Sequence, residues 1–225
     1  TVTPEMVDPI YYYILIDSTI NYDPVTLLTN EDTLKTLIEG TIGDYFTSDL
    51  QKFDQKFRHS TLTRKIDDTN ATIRNSKTSI KYQMRISPTT LSVTSTYTLE
   101  FNNPLTKGSV VSTAFTASDG NTYTMVDDSI GNIKLAQSTY SNGVATINSP
   151  ALYMTLVSGS TLQGTIDYTT GKIVLNNFNP YTISDATTNI KFTVTPQTNN
   201  QDITPVREQI LTTDTFDTAS IVVTM

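Results

Sequence analysis

The chain has 225 residues, no cysteine, no tryptophan, one histidine and a net charge of -7. Disulfides, thiolate metal sites and cysteine nucleophiles are excluded, and the acidic balance argues against a general nucleic-acid binder, whose affinity rests on Lys and Arg neutralising phosphates. Charged residues are only 16% of the chain and Thr, Ser and Asn fill the rest of the polar surface, which favours strands and turns over long helices.

The length suits one large domain or two ordinary ones. Residues 1–88 hold ten Lys/Arg against twelve Asp/Glu, whereas 89–225 hold five against ten, so a mixed-sign first part precedes a sparsely charged, acidic second part. No apolar run approaches the roughly 20 residues of a membrane span, and no membrane partner is expected. The start Thr1-Val2-Thr3-Pro4 lacks a methionine, which suggests a piece of something longer.

Within residues 7–20, Ile10-Tyr11-Tyr12-Tyr13-Ile14-Leu15-Ile16 is a continuous apolar run of strand length. It predicts a central strand covered on both faces. Asn21-Tyr22-Asp23-Pro24 supplies a turn, since proline keeps the preceding residue out of the helical region. A helix follows, with Thr29 as N-cap and Glu31 and Asp32 at the positive end of its dipole. Its buried stripe reads Leu34, Leu37, Ile38, Ile42, Tyr45, Phe46 and Leu50, at the spacing of one helical face. Gly40 and Gly43 each weaken it by about 1 kcal/mol relative to alanine, so something is expected to lie against that side.

The segment Phe53-Asp54-Gln55-Lys56-Phe57-Arg58-His59-Ser60 reads as a connector anchored by its two phenylalanines. Ser60 is the expected N-cap of a second helix bearing Leu62, Ile66 and Ile73, with Arg64, Lys65, Asp67 and Asp68 on its wetter face. Residues 79–87 alternate as a strand with one face buried, and Pro88 closes this first unit of strand, helix, helix and strand.

Beyond it, short strands are predicted at 91–101, 109–117, 122–126, 132–137, 144–147, 153–157, 161–168, 172–175 and 190–195. Asp119-Gly120, Ile130-Gly131-Asn132, Asn142-Gly143 and Thr170-Gly171 stand between them, as hairpins require. The fold class is therefore α+β: an assembly domain at 1–88, an antiparallel sandwich or barrel-like domain at 89–200, and a tail at 201–225. That tail is too apolar to be simply disordered and suits a strand added to another sheet or another chain.

Candidate chemistry is sparse. His59 beside Ser60 points away from it in a helical entry and lacks an orienting third group, so a hydrogen-bonded joint histidine is expected. Asp67-Asp68 diverge by about 100° on a helix. Asp127-Asp128 lie in a hairpin turn and lack the alternating acids of a calcium loop, and both pairs read as solvated turn or surface acids. The stretch at Gly159-Ser160-Thr161 has no lysine after its glycine and fails as a phosphate loop. No cofactor, metal or catalytic residue is expected. Phe53, Phe57, Arg58, Arg64 and Arg74 could form an aromatic and arginine contact surface; equally, both rings could be core and the arginines paired with Asp54, Asp67 or Asp68.

Val7-Asp8-Pro9 before the Tyr/Ile strand, Ile20-Asn21-Tyr22-Asp23-Pro24, the helix from Leu34 to Leu50, and Phe57-Arg58-His59-Ser60 with Leu62 and Ile66-Asp67 together resemble the baseplate wedge protein of contractile-tailed (T4-type) phages, in the broader baseplate-J-like family. The hairpin Gly164-Thr165-Ile166-Asp167-Tyr168-Thr169-Thr170-Gly171-Lys172-Ile173 is also similar, though the first unit carries most of the likeness. The resemblance implies a non-enzymatic structural role in the virion tail, with assembly in the host cytoplasm. It implies a homodimer, contacts with other baseplate wedge proteins, and a place in the C-terminal part of the family's chain. The interface residues Phe53, Phe57, Arg58 and Arg64 come from the residue reading alone. A receptor- or glycan-binding adhesin module is the alternative, and a polysaccharide-degrading enzyme with facing carboxylates is the rival from the enzyme class.

Overall fold

The computed structural model describes residues 8–141, 144–147, 155–157, 160–161, 163–185, 187–197, 201–206, 208–215, 217 and 220–225. In chain order the elements are β1 (Ile10–Tyr22), α1 (Glu31–Asp44), a π-helical turn (Tyr45–Leu50), α2 (His59–Asp67), β2 (Ile73–Ile86), β3 (Ser95–Glu100), β4 (Val111–Ser112), β5 (Phe115–Thr116), β6 (Thr122–Asp127) and β7 (Asn132–Ser141). There follow β8 (Val144–Ile147), β9 (Thr155–Val157), β10 (Ser160–Thr161), β11 (Gln163–Asp167), β12 (Lys172–Phe178), β13 (Thr182–Ile183), β14 (Ile190–Val194), β15 (Gln209–Thr212) and β16 (Ile221–Thr224). The chain divides into two compact units, Thr1–Tyr82 with Thr198–Met225, and Gln83–Gln197.

The first unit is built around β1. Tyr12, Ile14, Ile16, Ser18 and Ile20 are buried, while Tyr13 and Leu15 on the opposite face are only partly covered and Asp17 and Thr19 are exposed. The strand is central, but one face is buried, not both; the apolar run at its start hides that alternation. On one edge it meets β2. Contacts of Asp23 with Thr72, Ser18 with Thr78 and Asp17 with Ser79 run in opposite senses along the two strands, so the pair is antiparallel. On the other edge the tail returns twice: Ile10–Tyr13 pair in parallel with β15, and Ile16–Thr19 pair in parallel with β16. The buried hydroxyls of Ser18 and Thr78 satisfy each other at 2.8 Å, as a polar pair inside a core must.

Asn30, not Thr29, caps α1: its backbone is extended and its Oδ1 accepts from Thr33 N at 2.7 Å. Leu34, Ile38 and Ile42 are buried, and Leu37 instead sits at the margin of the stripe, 48% exposed. The helix then widens into the π-helical turn, whose Gln51 N reaches back five residues to Phe46 O, and Tyr45, Phe46 and Leu50 all enter the core. The second helix ends at Asp67, short of Ile73. Asn70 Oδ1 accepts from Thr72 N and Thr72 Oγ1, a local turn that competes with helix, and Ile73 opens β2.

In the second unit every recorded strand pairing is antiparallel, along the path β14, β4, β6, β7, β11, β12, β3, with β5 beside β6, β13 beside β5 and β8 beside β7. The ends of this path are tied together: Leu105, just after β3, bridges Pro196, just after β14, and Thr106 N donates to Thr195 O. Phe101, Phe115, Met125, Ile133, Leu135, Ile173, Leu175, Phe178 and Phe192 form the core. The expected strand at 109–117 is split into β4 and β5. Side-chain hydroxyls there replace ladder partners, Ser112 Oγ accepting from Met125 N and Thr113 Oγ1 from Lys191 N. The Asn142-Gly143 turn and Gly159 lie outside the described residues.

Candidate assembly surface

The connector between α1 and α2 is an elbow whose inner side is aromatic. Phe57 is fully buried, its ring 6.2 Å from Phe46 and 6.2 Å from Tyr45, and Tyr45 lies edge-on to Phe46 at 5.8 Å. Burying such a ring contributes roughly 2–3 kcal/mol. Burial raises the Tyr45 phenol above its ordinary range, and the nearby carboxylates of Asp49 and Asp202 add to that. Lys65 closes over the outside of the same ring at 5.4 Å while pairing with Asp49 at 3.3 Å. Asp54 makes the bend itself, in a left-handed conformation with φ 60°, which aspartate tolerates better than most residues.

The tail fastens this elbow. Phe57 N donates to Ile203 O at 2.9 Å and Ile203 N to Phe57 O at 3.0 Å. Next to that bridge, Asp202 Oδ1 accepts from His59 N at 3.0 Å and its Oδ2 lies 3.6 Å from Arg58. The N-terminus of α2 is thus capped from more than 140 residues away, not by Ser60, and the residue at the cap position, Arg58, makes no capping bond with its own side chain. His59 Nε2 donates to Thr78 O at 3.0 Å. A carbonyl oxygen can only accept, so the proton sits on Nε2 and the ring is committed to the joint, out of any Ser60 nucleophile pairing.

Of the four contact candidates, Phe57 is wholly internal, Phe53 is 50% exposed, Arg58 projects outward while paired to Asp202, and Arg64 stands exposed with no ion pair among the described residues. Arg74 pairs with Asp23 at 2.9 Å, and this hydrogen bond holds the Asp23 carboxyl below the usual carboxylate range. Asp67 accepts from Ser76 Oγ at 2.6 Å.

The Asp127-Asp128 pair sits in a turn, as expected, but its carboxylates are taken up by protein donors and not left to solvent. Asp127 accepts from Gly108 N, Val110 N and Tyr168 Oη. Asp128 accepts from the backbone of Ile130, Gly131 and Asn132, from Asn132 Nδ2, and from Lys134 at 3.3 Å. Desolvation pushes its pKa up, but these donors outweigh it and hold the carboxyl well below the ordinary value. The acids organise turns, and the Asp-x-x-Gly-Asn spacing was the available signal for that. Asp202 and Ile203 carried no such signal. Among the described residues, no group of three His, Cys, Asp or Glu is placed to hold a metal, and no helix is long and apolar enough to cross a membrane.

The first unit is thus an α+β unit whose elbow is aromatic inside and whose elbow polar groups are tied into structural bonds. Residues 10–85 match the family described as baseplate structural protein gp6, C-terminal domain III. The matched segment is about a third of the chain and runs from the first residue of β1 to one residue short of the end of β2. It supports the baseplate part of the resemblance but not the wider baseplate-J-like family as such. No curated protein matches the chain.

Proposed function

We propose that this protein is a structural, non-enzymatic component of a contractile phage tail baseplate, where it self-associates and joins other wedge proteins into a ring. The carrying observation is the match of residues 10–85, an uninterrupted β1-to-β2 segment, to a baseplate structural domain. In this reading the protein resides in the virion tail after assembly in the host cytoplasm, and binds neither nucleic acid nor membrane. Self-association is isologous, through the outward side of the elbow: Phe53, Arg58 and Arg64. Phe57 supports that surface from within.

Light scattering of the 225-residue chain over a hundredfold concentration range tests the reading, alongside mass spectrometry of purified tails. A dimer that dissociates on dilution and a peptide signal in the baseplate fraction are the expected results. A strict monomer absent from tails would overturn it. Phe53→Ala with Arg64→Glu should weaken the dimer at least tenfold, as loss of an aromatic and an arginine anchor does, with the melting temperature unchanged.

A further inference from the structure

The sheet of the second unit has an unguarded edge. β3 stands at the end of the strand path, and among the described residues it pairs with β12 alone. Phe101 N donates to Gly171 O at 2.9 Å, one step on in register from the pair of Glu100 with Lys172. An antiparallel ladder alternates, so Leu99 and Tyr97 also bond toward β12, and the backbone N–H and C=O groups of Thr96, Thr98 and Glu100 point the other way. The side chains of those three residues are exposed. Proteins blunt such edges with proline, lysine, a bulge or an inward charge. Ser95–Leu99 holds no proline and no charge, and the extra residue of the irregular pairing lies in β12, between Leu175 and Phe178, not in the edge. The strand's one charge, Glu100, pairs with Lys172 at 2.9 Å. Just before the strand, Leu91 and Val93 are also exposed.

The strand's own side chains select its partner. Laid antiparallel against a second copy with Thr98 on the dyad, Thr98 opposes Thr98, Thr96 opposes Glu100, and Tyr97 opposes Leu99. A threonine pair, a neutral neighbour for the single carboxylate and an aromatic–aliphatic pair are all favourable across strands, whereas an in-register parallel pair would set Glu100 against Glu100, and like charges directly opposite are destabilising. A strongly charged strand of another protein would find no complement, since no residue from Leu91 to Leu99 is charged. Glu100 O already accepts from Asn102 Nδ2 at 3.0 Å, and a carbonyl keeps a second lone pair for the new ladder.

We infer that β3 pairs antiparallel with β3 of a second copy, joining two sheets edge to edge about a dyad at Thr98. The contact is isologous, lies in the second unit, and is separate from the elbow surface. The chain has no cysteine, so Thr98→Cys supplies a single thiol. Directly opposed residues of a bonded antiparallel pair have Cα atoms about 5.5 Å apart, within the span of a disulfide.

Under mild oxidation of the full chain, Thr98→Cys should form a disulfide-linked dimer at least tenfold faster than Thr165→Cys, because a held pair reacts as one molecule. Thr165 is an exposed threonine on β11, in the interior of the same sheet. In the Thr98→Cys background, Thr96→Glu faces the partner's Glu100 and should slow cross-linking by about threefold, the scale of one opposed like-charge pair, while Thr96→Lys should speed it. Thr96 and Thr98 are both exposed, and thermal melts check that each variant stays folded. Equal rates for Thr98→Cys and Thr165→Cys would overturn the inference. So would Thr96→Glu and Thr96→Lys shifting the rate in the same direction, the mark of a parallel pair or a chance collision. A Thr98→Cys chain that fails to cross-link, while light scattering still shows a dimer sensitive to Phe53→Ala with Arg64→Glu, removes the edge contact alone and leaves the assembly reading standing.

Discussion

Asp202 does two jobs with one carboxylate, accepting from the free N–H at the start of α2 and facing Arg58. Removing a helix N-cap costs about 1 kcal/mol, so Asp202→Ala should lower the unfolding free energy measured in urea by that order, while Asp202→Asn, which keeps an acceptor, should recover most of it. If the two variants unfold alike, the ion pair and not the cap carries the effect. Asp128 makes a different prediction. Its folded pKa lies below the ordinary 3.8, so the stability it contributes is fully present above that value and is lost as pH falls through the folded pKa. Asp128→Asn should therefore be less stable than the parent at pH 7, with the gap narrowing progressively below about pH 4. A constant gap from pH 7 to pH 2.5 would assign the cost to packing. Glycine offers a matched pair: a Cβ on Gly171, φ +71°, would lie 2.4 Å from Asn103 O, whereas one on Gly120, φ +80°, meets nothing within 4 Å. Gly120→Ala should cost only the left-handed penalty of about 1–2 kcal/mol, and Gly171→Ala clearly more, read from thermal unfolding.

At the level of elements, what was legible in the sequence was what a window of a dozen residues determines. The first strand, the helix from 31, and the antiparallel strands of the second unit follow from local apolar spacing and turn chemistry. Errors gather where a side chain intervenes in the backbone pattern. Asn30 displaces Thr29 as the cap because its amide oxygen reaches Thr33 N; Asn70 ends the path from α2 before Ile73 can join it; Ser112 and Thr113 split one strand into two. The apolar run at residues 10–16 concealed a period of two because Tyr13 and Leu15, on the partly covered face, are as apolar as Tyr12 and Ile14. The glycines of α1 were legible as a sign of close packing, and Gly40 and Gly43 do line a groove shared with tail residues Thr213, Asp214, Ile221 and Val222, though a Cβ on either would meet nothing within 4 Å. Of the contact candidates, the pattern marked the elbow but could not separate Phe53 from Phe57, since both are four residues apart in a non-helical bend whose inside is defined by the tail.

For the whole molecule, the decisive contacts are the ones farthest apart in sequence. The segment similar to a baseplate domain ends at residue 85, but the sheet it belongs to is completed by β15 and β16, and its elbow by Asp202 and Ile203. A chain ending at Gln197 would leave the β1 edge from Ile10 to Thr19 without its parallel partners, expose the buried tail residues' counterparts, and uncap α2. Unpaired buried backbone and an open apolar edge are each costly, so this truncation should lose protection from hydrogen exchange at Tyr12–Ile16 and at His59–Leu62. The amides of β6, β7 and β12, whose partners all lie within Gln83–Gln197, should stay protected. Adding a peptide of residues 201–225 in trans should restore β1 protection, because the tail acts as a noncovalent strand donor. Unchanged exchange at Tyr12–Ile16 in the truncated chain would show that β2 and the helices hold β1 by themselves, and that the tail is an addition to the matched segment and not part of its fold.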